Sequence, residues 1–177
     1  MMKRILVLLA ALLMIANVSF AMSGFVDQQT LNGVHCGMSP DEVVAKWGKP
    51  ISQADSTSFY FNPGGLKGDF YTNKKRVTFL RKIYAENNPQ LVLKPSGVTM
   101  GMSEEEVIRR LGKPDHIQYM EWYSDASGMC HRLDYNMPDI TNYAGIKGSQ
   151  SISIWVGADN NSFENKVVAF WLRGEFY

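Results

Sequence analysis

The pattern of hydrophobic and polar residues changes period several times along the chain. Two short segments, 43–47 and 107–111, carry an apolar stripe with helical spacing. In several other segments hydrophobic and polar residues alternate, which is typical of half-buried strands. These predicted strands span 56–61, 67–72, 77–84, 117–124, 129–136, 150–157 and 165–173. The sequence also favours a short helix or turn over 25–31 and a long loop over 137–148.

Each helical stripe is bracketed by residues that start and stop helices. Ser39 and Ser103 stand at the N-cap position, and each is followed three residues later by a glutamate, which is the capping-box pattern. Gly48 and Gly112 follow the stripes, and a proline comes two residues after each glycine. We therefore predict two helices with defined ends, each of which packs one side against another layer.

Both helical segments lie within an eighteen-residue stretch that occurs twice, at 33–50 and at 97–114. Ten of the eighteen positions are identical, where average composition would give roughly one chance match. The identical pairs are Gly33/Gly97, Val34/Val98, Gly37/Gly101, Met38/Met102, Ser39/Ser103, Glu42/Glu106, Val43/Val107, Gly48/Gly112, Lys49/Lys113 and Pro50/Pro114. We therefore predict a tandem repeat, with one copy at 22–94 and the other at 95–177.

The predicted fold class is α+β. In each repeat, one or two helices are expected to precede three or four antiparallel strands, with the helices packed on one face of the sheet.

Large aromatic residues are expected on the sheet face that the helices leave open. In the last two predicted strands the aliphatic residues occupy alternate positions, and such a continuous aliphatic set turns towards the core. The opposite positions there, with comparable positions in two other strands, hold Trp155, Trp171, Tyr123, Tyr119 and Tyr60. Two interpretations stay open: these residues form a binding face, or the 137–148 loop or the other repeat covers them.

The first residues have the pattern of a secretory signal peptide. Lys3 and Arg4 precede an apolar run over 5–18, and Ser19 to Ala21 forms a small-x-small cleavage site. An uncleaved anchor is the alternative, but the run is shorter than the roughly 20 residues that span a bilayer. Because no cysteine follows closely enough to form a lipobox, we predict a signal peptide at 1–21 and a periplasmic or secreted protein.

The balance of basic and acidic side chains limits the classes of partner that we expect. Without the predicted signal peptide, the chain has 16 basic and 17 acidic side chains. Nucleic-acid binding and electrostatic membrane binding both favour a basic stripe, so the balance argues against either. A protein partner is the remaining expectation.

The two cysteines, Cys36 and Cys130, could form a disulfide in an oxidising compartment, although the sequence does not show whether they come within reach. Each neighbours a histidine, His35 or His131. The spacing lacks the usual zinc-ligand patterns, and neighbouring residues in a strand point to opposite faces. We predict no metal and no cofactor.

Sequence motifs of catalysis are missing from the chain. His116 could be considered as a general base, but no motif places a nucleophile or an orienting carboxylate beside it. The acidic run 104–106 fits the positive end of a helix. We therefore predict that the protein is not an enzyme.

The repeated string Gly-Met-Ser-x-x-Glu-Val with a following Gly-Lys-Pro resembles the signature of SmpA/OmlA (BamE-like) domains. The tandem arrangement is similar to the beta-lactamase inhibitor protein (BLIP-like) fold. The resemblance implies helices against an antiparallel sheet, no enzyme activity and protein binding in the cell envelope. In the inhibitor-like members, a concave sheet face rich in aromatic residues binds the partner.

The chain departs from these families in two ways. It lacks the lipid-bearing cysteine that anchors BamE-like proteins, and its cysteines fall one in each repeat region, so the inhibitor's disulfide pattern is not transferred. We predict a non-catalytic, exported protein-binding module of the cell envelope that uses the aromatic face. The alternatives are an outer-membrane assembly accessory or scaffold, with peripheral membrane association left open, and a secreted or periplasmic enzyme inhibitor.

Overall fold

The computed structural model describes residues 26–62, 64–122, 128–158 and 163–177. The predicted signal peptide and Tyr123 lie outside these ranges. The elements, in chain order, are β1 (Thr30–Leu31), α1 (Pro40–Trp47), β2 (Ser52–Gln53), β3 (Ser58–Phe61), β4 (Leu66–Thr72), β5 (Thr78–Glu86), β6 (Leu93–Lys94), α2 (Glu104–Leu111), β7 (His116–Trp122), β8 (Gly128–Thr141), β9 (Lys147–Gly157) and β10 (Val167–Phe176). Neither of these two helices has the length and apolar character needed to cross a membrane.

One antiparallel sheet of eight strands dominates the molecule. Its strand order is β2-β3-β4-β5-β10-β9-β8-β7, and β1 pairs separately with β6. The centre of the sheet is the pairing of β5 with β10, in which Phe170 lies opposite Ala85 and Leu172 opposite Ile83. This pairing joins the strands that precede α2 to the strands that follow it.

The predicted fold class is wrong. Strands make up 50% and helices 11% of the described residues, and the large eight-stranded antiparallel sheet does not fit a tandem helix-plus-sheet repeat. The helices are only 8 residues long, and the residues that they bury are Val43, Trp47 and Val107. Because residues 82–86 of β5 pair with residues 169–173 of β10, the strands form one continuous sheet instead of two separate ones.

Two local predictions are also wrong. The segment predicted as a helix or turn over 25–31 contains the strand β1, which pairs with β6. The predicted loop over 137–148 is mostly strand, and only 142–146 separates β8 from β9. Pro138 is accommodated because the register of β8 against β9 shifts between Met137 and Ile140, so its missing N–H interrupts no regular pairing.

The helix ends follow the predicted capping residues. Ser39 Oγ accepts from the backbone N–H of Glu42 at 3.3 Å, and the backbone N–H of Ser39 donates to the Glu42 carboxylate at 2.7 Å, which completes the capping box. At α2, Ser103 Oγ accepts from the backbone N–H of Glu106, also at 3.3 Å. The Glu106 carboxylate instead accepts from Arg109 and Arg110 at 2.6–2.7 Å. The second box is therefore only half formed.

The main hydrophobic core lies between one face of the sheet and the layer formed by both helices and the segments next to them. Val43 and Trp47 from α1 and Val107 from α2 belong to the same buried cluster as the sheet residues Ile154 and Phe170. The Trp47 ring packs edge-on against Phe61 at 5.2 Å, and its Nε1–H donates to the Leu31 carbonyl at 3.2 Å. Both helices therefore cover the same face, and we call the opposite face the far face.

Candidate protein-binding face

Strand alternation decides which side chains reach the far face. On β10, Phe170 and Leu172 belong to the main core. Trp171 and Arg173 occupy the alternate positions, so their side chains point to the far face. Trp155 lies between the core residues Ile154 and Val156 on β9, and it also reaches the far face. The two tryptophans that the sequence pattern assigned to the open face therefore lie on the side opposite the helices.

A single row of directly paired residues crosses all eight strands on this face. In strand order it contains Ser52, Tyr60, Lys67, Tyr84, Trp171, Ser153, Asp134 and His116. Directly paired residues of antiparallel strands share a face, so these side chains are neighbours although they are far apart in sequence.

Three aromatic rings form the centre of the far face. The Tyr84 and Trp171 ring centroids are 5.2 Å apart with the rings nearly perpendicular, and the Trp171 and Trp155 centroids are 5.1 Å apart. Trp155 is 2% exposed and packs with Cys130, Val168 and Ala169, while Trp171 and Tyr84 are half-buried. We call Tyr84, Trp171 and Trp155 the aromatic triplet. It occupies the adjacent central strands β5, β10 and β9.

A cation lies against each ring of the triplet. Lys67 Nζ is 4.9 Å from the Tyr84 ring centroid, Arg173 Cζ is 5.0 Å from that of Trp171, and Arg132 Cζ is 5.7 Å from that of Trp155. These distances are within the range of cation–π attraction. The cations therefore restrict the motion of the rings and add polar groups to an otherwise apolar surface.

Carboxylates hold two of these cations in place. Arg132 donates two hydrogen bonds to Asp134, at 2.8 and 3.0 Å, and Asp134 also accepts from the Ser153 hydroxyl at 2.6 Å. Lys67 Nζ lies 3.6 Å from Asp69. Both ion pairs are only partly exposed, so solvent screens them less than it would a fully exposed pair. The far face is therefore a preorganised polar and aromatic surface.

The environment of Tyr84 keeps its hydroxyl protonated. Burial raises the pKa of Tyr84 to about 12, and the neighbouring Asp69 carboxylate adds to the effect because it disfavours a second negative charge. Tyr84 therefore contributes a neutral phenol to the far face.

The structure brings together only part of the predicted binding set. Tyr60 joins Trp155 and Trp171 on the far face, opposite Lys67. Tyr119 pairs with His131, whose Nδ1 lies 2.8 Å from the Glu104 carboxylate of α2, so Tyr119 is on the helix side. We call the buried group of Cys130, Trp155, Val168 and Ala169 the far-face cluster. The predicted facing of this strand is wrong, because Met120 and not Tyr119 packs against that cluster. Tyr123 lies outside the described residues.

Sequence analysis missed Tyr84 and the three cations. The alternation of Ile83 and Ala85 with Tyr84 was visible, and it does place Tyr84 opposite the core. The pairing of β5 with β10, which sets Tyr84 beside Trp171, joins residues far apart in sequence, and no local pattern indicates it.

The disulfide between Cys36 and Cys130, which the sequence left open, is not formed. Cys36 lies in the main core, where its thiol donates to the Arg81 carbonyl at 3.2 Å, while Cys130 belongs to the far-face cluster. The sheet therefore separates the two sulfur atoms. Burial raises the pKa of the Cys36 thiol to about 12 and also raises that of Cys130, so both remain protonated and weakly nucleophilic. Within the described ranges, no three His, Cys, Asp or Glu side chains are grouped as metal ligands.

An apolar cavity lies at the end of the sheet where β5 finishes and β10 begins. Its volume is about 390 Å³, and its walls include Pro89, Met100, Val167 and Val168. Val168 also packs with Trp155 in the far-face cluster, whereas Met100 and Val167 belong to the main core. Lys166 and Asn87 line it as well and add a charged and a polar group.

Comparison with known proteins finds no matching protein-family model, no matching curated protein and no matching solved structure. The resemblance to SmpA/OmlA (BamE-like) domains and to the BLIP-like fold stays a prediction that rests on the repeated helix motif.

Proposed function

We propose that the protein is a non-catalytic binding module of the cell envelope that holds a protein partner on the far face. The observation that carries the proposal is the aromatic triplet on the three central strands, with a cation against each ring. Tryptophan, tyrosine and arginine are the residues that most often dominate the free energy of protein–protein binding. The exported location rests on the sequence pattern of residues 1–21.

The geometry supports rigid docking. Trp155 is buried beneath its neighbours, and its ring supports Trp171, which is itself in contact with Tyr84 and Arg173. Side chains that are already ordered lose little conformational entropy when a partner binds. Trp171 and Tyr84 are half-buried, so each ring still has surface to offer.

The apolar cavity supplies a place for an anchor residue of the partner. Buried anchors in pockets beside aromatic residues are the usual form of an interface hot spot. Because Val168 is common to the cavity and the far-face cluster, a partner lying across the aromatic triplet can extend an apolar side chain into the cavity.

The test compares two aromatic-to-alanine variants. The mature chain is used to capture partners from periplasmic extract, and the Kd of the captured protein is then measured for Trp171→Ala and for Tyr143→Ala. Tyr143 is 51% exposed and lies in the turn between β8 and β9. We expect Trp171→Ala to weaken binding by about 2 kcal/mol, or roughly thirtyfold, and Tyr143→Ala to have little effect.

Equal binding by both variants would overturn the assignment of the far face. The identity of the captured partner separates the alternatives: an outer-membrane assembly component favours the accessory role, and an enzyme that loses activity in the complex favours an inhibitor.

A further inference from the structure

The outer edge of β7 is a second surface with the properties of a binding site. Within the described ranges, β7 has one neighbouring strand, β8, and it ends the eight-stranded sheet. Its seven residues pair with β8 without a register shift. A regular edge strand carries unpaired N–H and C=O groups that can extend the sheet with another strand.

Two large apolar side chains are exposed on this strand. Ile117 is 54% exposed and Tyr119 is 58% exposed, and both point to the helix side of the sheet. Natural proteins usually block such edges with lysine, proline or a bulge. The sequence of β7 contains no lysine, arginine or proline, and its one charged side chain is that of Glu121.

The other edge of the sheet differs in each of these respects. Its outermost strand, β2, has only two residues. The chain leaves it through a turn in which the Asp55 carboxylate accepts from the backbone N–H groups of Thr57 and Ser58 at 2.8 and 3.0 Å. A strand of two residues offers little backbone for pairing, so the two edges are not equivalent.

We propose that β7 pairs antiparallel with β7 of a second copy of this chain, which gives a symmetric dimer with one continuous sheet. An antiparallel pairing centred on Tyr119 places Tyr119 against Tyr119 of the partner subunit. Ile117 then lies opposite Glu121 of the partner subunit, and Gln118 lies opposite Met120 of the partner subunit. No two like charges face each other in this register, so the strand is complementary to itself.

The dimer leaves the proposed binding face open. Directly opposed residues of paired strands lie on the same face, so the far faces of the two copies continue into each other across the new junction. A partner with two copies of the same epitope would then bind both far faces, with a gain in avidity. This inference rests on β7 alone and holds whether or not the far face binds a partner.

The experiment measures self-association of the mature chain by sedimentation velocity over a range of concentrations. The test variant is Tyr119→Glu, which sets two carboxylates opposite each other with Glu121 of each copy on the diagonal. The matched control is Tyr143→Glu, because Tyr143 is similarly exposed and lies outside β7. We expect the wild type and the control to dimerise equally, and Tyr119→Glu to weaken the dimer at least about a hundredfold.

The sign of the introduced charge provides a further check. Tyr119→Lys places a cation near Glu121 of the partner subunit, so it should weaken the dimer less than Tyr119→Glu does. If Tyr119→Glu fails to fold by circular dichroism, Ile117→Glu replaces it, since that carboxylate faces Glu121 of the partner subunit. A wild type that stays monomeric at every concentration, or a Tyr119→Glu variant that dimerises like the control, overturns the proposal.

Discussion

The two faces of the eight-stranded sheet are built from the same strands in different ways. On the helix side, Ile154, Phe170 and Leu172 are fully buried among other apolar residues. On the far face, the adjacent positions carry Trp155 and Trp171, which pack with Arg132 and Arg173, and Arg132 is held in place by the Asp134 carboxylate. The helix side removes apolar area from water and drives folding. The far face keeps aromatic area near the surface, where it can contact a partner.

The comparison teaches how a sheet can carry exposed aromatic residues without becoming a general hydrophobic patch. Large bare apolar patches promote aggregation. Here every ring of the aromatic triplet has a cation within 6 Å, and two of those cations have a carboxylate partner. A partner must therefore match both the rings and the charges, which favours selective binding over nonspecific adhesion.

The largest effect should come from the helix side. Phe170→Ala removes a fully buried ring from the main core and should lower the free energy of unfolding by about 3–5 kcal/mol, because the cavity left behind cannot fully collapse. Urea unfolding measures this loss. A loss smaller than that of Trp171→Ala would mean that we have assigned the stabilising face wrongly.

The neighbouring residue on the same strand gives the matched test on the far face. Trp171→Ala should lower the free energy of unfolding by only about 1–2 kcal/mol, because the ring is half-buried and part of its area stays in water. The same variant should show the thirtyfold loss of partner binding given above. Full binding together with a large loss of stability would show that Trp171 serves the fold and not recognition.

Removing the helix caps should have a smaller effect on stability, and the effect should differ between α1 and α2. Ser39→Ala removes a complete capping box and should cost about 1 kcal/mol of stability, while Ser103→Ala should cost less because Glu106 binds arginines instead of the cap. Thermal unfolding of the two variants side by side measures the difference. Equal losses would argue against any contribution from the reciprocal bond of Glu42.

The smallest effect concerns pH. Hydrogen bonds from Arg109 and Arg110 lower the pKa of Glu106 to about 2. A carboxyl with a lower pKa in the folded state stabilises the protein at neutral pH, and that contribution is lost as the pH falls from the ordinary glutamate range towards 2. Glu106→Gln should therefore flatten the acid side of the stability curve slightly, and urea midpoints from pH 7 to pH 2 test it. Curves that stay parallel would contradict the assignment.

The sequence predicts the local features of this fold well. The N-caps Ser39 and Ser103 and the helix-ending Gly48 and Gly112 stand where the pattern places them. Their signals depend on residues within a few positions of each other, so no tertiary information is needed. The faces of β9 and of residues 170–172 of β10 are also predicted correctly, because the aliphatic residues alternate there. At the start of β10 the prediction is wrong: a register shift between Val167 and Ala169 places Val167 in the main core and Val168 in the far-face cluster.

The long-range features were not predictable in the same way. β7 alternates with apolar residues on both sides, Ile117 and Tyr119 on one and Met120 on the other, so the pattern does not decide its facing. The candidate site suffers from the same limit. Trp155 and Trp171 follow from local alternation, but their contact with Tyr84 depends on the pairing of β5 with β10, which only the assembled sheet reveals.

The position of β10 has a consequence for how the molecule is made. This strand is the last in chain order, yet it lies between β5 and β9 in the middle of the sheet. A nascent polypeptide that ends before residue 167 contains β2 to β5 and β7 to β9 but lacks β10, the strand that pairs with both groups. The eight-stranded sheet can therefore form only after β10 has been translated.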